Sequence, residues 1–373
     1  VAVLAVILFH TSDLPGGFLG VDLFFVLSGY VITGGLLREV DRRRGVQLLP
    51  FWGRRARRLM PAFLATVAVV LVATTIAGNA NLRRFALDDT PWALAQLANW
   101  HFIVDKISYG HITEVHVFAH LWSISLEWQF YLVWPIVVAL VARRRNGERL
   151  LAIIAGALSI VSAAVMMHWG PLDPTRAYEG TDTRAFALLL GAVAATAPMR
   201  SLVSRLDRRI ASLAAVALVA GLGQVWANAA GTDAPWLYRG GLLVHAVLAA
   251  ALIAILAGWP HVAVSSVAGS LVPRRLGEWS YSIYLAHWPI ILLLPQFAQP
   301  VPWLRTVVIV AASVAVGALS TTFVENPIRS GHRWTRGRAG MIVLGAATIA
   351  VVLLWLALPR PDLGAGTVDV NLL

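Results

Sequence analysis

Long apolar stretches, broken at regular intervals by arginine-rich segments, leave this chain few folds to choose from. Of its 373 residues, 58% are hydrophobic and only 13% charged. Soluble domains carry about 25% charged residues, so this chain cannot dress a globular surface for water. There is no cysteine, which excludes a disulfide scaffold. Apolar runs near bilayer length, with no way to hydrogen-bond the backbone to water, predict an all-α polytopic membrane bundle.

Apolar runs fall at 1–10, 21–37, 59–77, 115–141, 150–167, 185–198, 210–226, 237–256, 281–294, 304–324 and 341–358. They read as about ten core spans plus an eleventh, C-terminal one. The first run is only half a span, and the pattern predicts that it continues on the N-terminal side of Val1. Between the second and third runs stand Arg38, Arg42, Arg43, Arg44, Arg54, Arg55, Arg57 and Arg58, the densest basic segment in the chain. Every second loop is arginine-rich, which predicts a cytoplasmic N-terminus and an extracytoplasmic C-terminus. The net charge of +11, all arginine except Lys106, is therefore read as topology-setting charge and not as a nucleic-acid footprint. The apolar piece 92–104 is too short to cross and is expected to be interfacial or re-entrant. The chain divides into a core bundle at 1–338, a further transmembrane helix at 339–358, and an extracytoplasmic tail or linker at 359–373.

Six segments carry chemistry. His10 closes an otherwise aliphatic run, and an imidazole at membrane depth can serve as a general base or simply be a hydrogen-bonded structural group. Gly16 to Tyr30 places Asp22 near the membrane and Ser28-Gly29 in mid-span, where small residues allow close helix packing. Arg55 and Arg58, three apart on one helical face, suit phosphate, with anionic lipid contact and topology as the alternative. In His116 to Tyr131, His120 and Glu127 are seven apart and are expected on one helix face. A carboxylate there either holds a proton or pairs with a cation. His116 and His120 are spaced as in helical zinc sites, with His111 and Glu114 nearby, but no metal is predicted because the remaining ligands are undefined. Tyr281, Tyr284 and His287 recur three apart and could line a polar cavity or form an interfacial belt. Glu325, in Phe323 to Arg329, is expected to pair with a neighbouring arginine.

These six segments, in this order along nearly the whole chain, resemble the acyltransferase-3 family of bacterial membrane O-acyltransferases. The resemblance implies a ten-span bundle in the bacterial inner membrane. It also implies an acyl group, usually acetyl, taken from cytoplasmic acyl-CoA and delivered to a hydroxyl of a cell-envelope carbohydrate. His10 matches the family histidine, Arg55 and Arg58 its R-x-x-R pair, and Glu127 its membrane glutamate. The family arginine eleven residues before that histidine would precede Val1. An eleventh span with an outer tail resembles the subset that continues into an extracytoplasmic SGNH-type domain, fused or separate.

On that basis His10 is expected to act as general base on the acceptor or as a transient acyl carrier, with Glu127 and His120 supporting it. Arg55 and Arg58 would hold the acyl-CoA phosphates, while Ser28, Tyr284 and His287 would line the substrate cavity. The expected partners are membrane lipid, acyl-CoA and a carbohydrate acceptor, with no nucleic acid. The alternative is a proton-coupled transporter or flippase of a lipid-linked sugar, using the same histidines and glutamate as a relay. No internal repeat supports that alternative.

Overall fold

The computed structural model describes residues 1–107, 116–232, 234–294, 302–329 and 337–361. Within them the chain is all-α, with no strand. In order the helices are α1 (Ala2–His10), α2 (Gly20–Arg43), α3 (Leu48–Ala77), α4 (Ala80–Leu94), α5 (Ala98–Val104) and α6 (Trp122–Val141). Next come α7 (Gly147–Trp169), α8 (Pro174–Glu179), α9 (Thr181–Ala194), α10 (Ala197–Ser204), α11 (Arg208–Asn228) and α12 (Leu242–Gly258). The last are α13 (Ala263–Ala268), α14 (Leu271–Leu293), α15 (Pro302–Ser320), α16 (Asn326–Arg329) and α17 (Gly337–Ala357).

Eight helical stretches among the described residues are long and apolar enough to cross a membrane. A ninth arises if α8 to α10, bent by 61°, make one broken span. The expected eleven also included the first run, which forms only the nine residues of α1, and the run within α14. In α14 a stripe of serine, tyrosine and histidine replaces part of the aliphatic content.

The centre of the bundle is the pairing of α2 with α9. A methyl group on Gly29 would lie 1.8 Å from the Leu188 carbonyl oxygen, and one on Gly191 would lie 2.0 Å from that of Val26. Only the absence of a side chain at both positions lets the two backbones approach this closely. The same two helices carry a fully buried ion pair, in which the Arg184 guanidinium donates to Asp22 at 2.7 Å. The guanidinium lies over the Tyr178 ring at 4.7 Å. At its far end α2 stops with Arg42 and Arg43 in the last turn, favourable beside the negative helix terminus, and with Arg44 in a left-handed conformation at φ 56°.

The apolar piece near 92–104 forms a helical hairpin, α4 then α5, whose tip is tucked against α6. At the tip Gln96 turns at φ 57°. Gln129 of α6 donates to the Gln96 carbonyl and to Asn99 Oδ1, both at 3.0 Å. Asn99 in turn donates to the Glu179 carbonyl at 3.1 Å and to Thr181 at 3.0 Å. A helix break buried in protein is stable only if its freed polar groups find such partners. The final helix α17 lies along α3, and Trp355 donates its indole N–H to the Leu87 carbonyl at 2.7 Å. Beyond it the Pro359 carbonyl accepts from Arg83 of α4.

Candidate active site

Four helices meet around a cavity of about 210 Å³. α2 contributes Ser28, α3 Arg55 and Arg58, α6 Ser123, Glu127 and Tyr131, and α14 Tyr281 and Tyr284. A second cavity of about 270 Å³ shares Ile32, Arg55 and Arg58 with the first and adds Glu39, Phe51 and Arg54. The two adjoin at these shared residues, a basic vestibule at the arginine-rich end next to a hydroxyl-lined chamber. In the vestibule Glu39 accepts from Arg54 at 2.6 Å.

Glu127 is the chamber's acid. Ser28 donates to its Oε1 at 2.6 Å and the Tyr131 hydroxyl to its Oε2 at 3.0 Å, so each oxygen is held by one hydroxyl. Charge-assisted bonds of this kind fix a carboxylate's orientation. The Arg55 guanidinium lies 5.5 Å from the Tyr131 ring centre and 5.8 Å from that of Phe51. It thus sits beside Glu127 without bonding it directly, its charge partly sheltered by two aromatic faces. Of the Ser28-Gly29 pair, Gly29 makes the close helix contact, while Ser28 lines the cavity and holds Glu127.

Tyr284 closes the outer end of the chamber. Its hydroxyl donates to the His120 carbonyl at 2.9 Å and accepts from Ser123 at 2.7 Å. Behind it lie three imidazoles. The His287 ring is 5.5 Å from those of both His10 and His120, and His10 also packs on Trp288 at 4.5 Å. His287 donates Nδ1–H to the Tyr284 carbonyl, which leaves the buried Nε2 without a partner among the described residues. His120 donates Nε2–H to the Leu285 carbonyl at 3.2 Å. His10 is half-buried at the end of α1.

The predicted residues thus fall into two groups. Ser28, Arg55, Arg58, Glu127 and Tyr284 share the cavity, whereas His10, His120 and His287 cluster behind Tyr284 and do not line it. His120 lies in a short 3-10 turn at Ala119–Leu121 that runs directly into α6; it bonds the Leu285 carbonyl, whereas Glu127 lines the cavity. His116 and His120 do not converge, because His116 bonds Asp89 at 2.9 Å while His120 bonds a backbone carbonyl. His111 and Glu114 lie outside the described residues. Among the described residues no group of three or more histidine or acidic side chains could hold a metal ion. Glu325 is buried and accepts from Ser282 and, at 3.2 Å, from Thr321, with hydroxyls taking the place of the expected arginine.

Sequence reading missed two contributors. Tyr131 was legible, being one helical turn after Glu127. Ser123 was not, since its role depends on Tyr284, 161 residues away.

Comparison with known proteins identifies the family. The model of the acyltransferase-3 family, described as an acyltransferase domain, matches residues 1–322. The peptidoglycan O-acetyltransferase OatA of Listeria monocytogenes is 37% identical over 341 residues, covering 88% of this chain and 54% of that protein. The O-acetyltransferase OatA of Staphylococcus aureus is 32% identical over 342 residues, covering 88% of this chain and 55% of that protein. The chain spans about half the length of these curated relatives. No solved structure matches it. A bundle of apolar helices around a hydroxyl-lined cavity, matched over most of its length by one family model, makes this chain a member of the acyltransferase-3 family of membrane proteins.

Proposed function

We propose that the chain is the membrane-embedded part of an O-acetyltransferase that moves an acetyl group from acyl-CoA to a hydroxyl of a cell-envelope carbohydrate, peptidoglycan first among them. One observation carries this reading: a single cavity is lined by Arg55 and Arg58, by the hydroxyl-held carboxylate of Glu127 and by Tyr284. The two relatives, both O-acetyltransferases by name, point the same way. The arginine-rich end lies on the cytoplasmic side by the loop-charge rule, so the donor enters there with its phosphates on Arg55 and Arg58. Its thioester then reaches past Glu127 toward Tyr284.

The acceptor approaches from the opposite side, where His10, His120 and His287 cluster. An imidazole takes the hydroxyl proton as the oxygen forms the new ester bond and the carbon–sulfur bond breaks. The thiolate leaves toward the vestibule and is protonated there. His10 is the proposed base or transient acyl carrier, with His287 between it and the chamber. Tyr284 and Ser123 form the partition that the acyl group passes. Glu127, held by Ser28 and Tyr131, orients the donor's reactive end. An SGNH-type domain, fused or separate, would receive or place the group outside.

The test supplies acetyl-labelled CoA ester to the cytoplasmic face of sealed membranes and follows label into envelope glycan. Label should appear with the unaltered protein and fall to background with His10→Ala. Equal transfer by His10→Ala removes that residue from the chemistry. Sugar flux without any CoA-dependent transfer favours the transporter reading instead.

A further inference from the structure

Away from the cavity, a second set of ionisable side chains lies in series on α4, α5 and the turn before α6. Asp105 Oδ2 is 3.1 Å from His101 Nδ1, and His101 Nε2 is 3.1 Å from Asp89 Oδ1. The other oxygen of Asp89 is 2.9 Å from His116 Nδ1. Side-chain exposure falls along this line from 47% at Asp105 to 11% at His101, 1% at Asp89 and 4% at His116. The chain of bonds therefore starts at the surface and ends inside the protein. At its inner end the His116 ring is stacked on Phe85 at 4.2 Å and meets the edge of Phe102 at 5.8 Å. Its Nε2 is buried and has no partner among the described residues.

This inner end adjoins the histidine cluster. The His116 carbonyl accepts the indole N–H of Trp288 at 2.8 Å, and the same indole packs on His10 at 4.5 Å. Among the described residues, the other charged groups near this region are already engaged or point outward. Arg84 lies 3.5 Å from Asp88 on the exposed side of α4, and Arg83 bonds the Pro359 carbonyl. From α8, Arg176 pairs with Asp182 and covers Trp100, while Lys106 is exposed next to Asp105. From the far side come His120 and His287, both bonded to backbone carbonyls.

We propose that Asp105, His101, Asp89 and His116 form a proton-release path from the acceptor side of the reaction to the outer surface. The inference rests on the acyl-transfer reading given above. That reaction sends the thiolate back to the vestibule, while the base that takes the acceptor's hydroxyl proton lies among the histidines behind Tyr284, so the proton needs its own exit. A water carries it from the histidine cluster to His116 Nε2. His116 then gives up its Nδ1 proton to Asp89, Asp89 passes one to His101, and His101 releases its other proton through Asp105 to the medium. Each group returns to its starting state when the rings and hydroxyls reorient. Proton and charge balance, because the departing thiolate takes up its proton separately, at the vestibule.

The test measures turnover in proteoliposomes with acetyl-CoA and a peptidoglycan-derived glycan, in water and in deuterium oxide. His101→Ala, close to the surface, and Asp89→Asn, in the core, should each lower kcat about tenfold or more while donor KM stays unchanged. The solvent isotope effect should rise, and added imidazole should restore much of the rate to His101→Ala. A relay that a small diffusible base can replace is not a structural strut. Turnover of both variants close to that of the unaltered protein overturns the path while leaving the transfer reading intact. A loss that imidazole does not restore, with an unchanged isotope effect, overturns it equally. Absence of transfer by the unaltered protein overturns the transfer reading and the path with it.

Discussion

Ser28 and Tyr131 each donate to a different oxygen of Glu127, so the carboxylate's two faces are spoken for before any substrate arrives. Glu127→Gln puts an amide N–H₂ against one of those hydroxyl donors. Acetyl transfer should fall about a hundredfold, the scale of a misplaced reacting group, with acyl-CoA affinity unchanged by equilibrium binding. Ser28→Ala removes one donor and leaves Tyr131 in place, so a smaller loss is expected from the same assay. Arg55→Ala with Arg58→Ala acts on the other end of the cavity: donor KM should rise at least tenfold and kcat change less. Equal affinity for the donor would return the two arginines to topology alone. The residue scale also shows where sequence reading stops. Tyr131 could be found one turn from Glu127, and Arg55 and Arg58 by their shared face. Arg184 as the partner of Asp22 could not, since 162 residues separate them and no local pattern links them.

Helix pairing sets the positions of these side chains, and α2 against α9 is the pairing with least slack. Gly29→Val would drive a branched side chain into the Leu188 carbonyl. Overpacking of this kind costs about 1–3 kcal/mol or more, so the detergent-solubilised protein should lose thermal stability and Ser28 should leave Glu127. Arg184→Met strands the Asp22 charge in a dry core and should cost about 3–5 kcal/mol. Adding Asp22→Leu should recover part of that loss, which a thermal melt of the double variant would reveal. At this scale the sequence was informative about spans and less so about their ends. Repeating apolar runs marked α2, α3, α7, α11 and α12, and the small residues at 28–29 marked a close contact. The spacing of His120 and Glu127 did not reveal that His120 bonds the Leu285 carbonyl on α14 while Glu127 lines the cavity, since both depend on contacts far along the chain.

Across the whole molecule, charge and apolar content divide the chain into two faces, and the proposed reaction runs between them. These 373 residues contain no cysteine, so single reporters can be introduced into them without removing others. Arg44→Cys should react with a membrane-impermeant maleimide only from the cytoplasmic side, and Lys106→Cys only from outside. The opposite pattern would invert the donor's entry side. The α4–α5 hairpin has a consequence for how such a molecule is made. Its tip carries Gln96 and Asn99, whose partners Gln129, Glu179 and Thr181 lie further along the chain. A ribosome therefore delivers this wedge well before the groove that receives it exists. The wedge can make its full set of bonds only after residue 181 has emerged, so this part of the bundle closes late in synthesis.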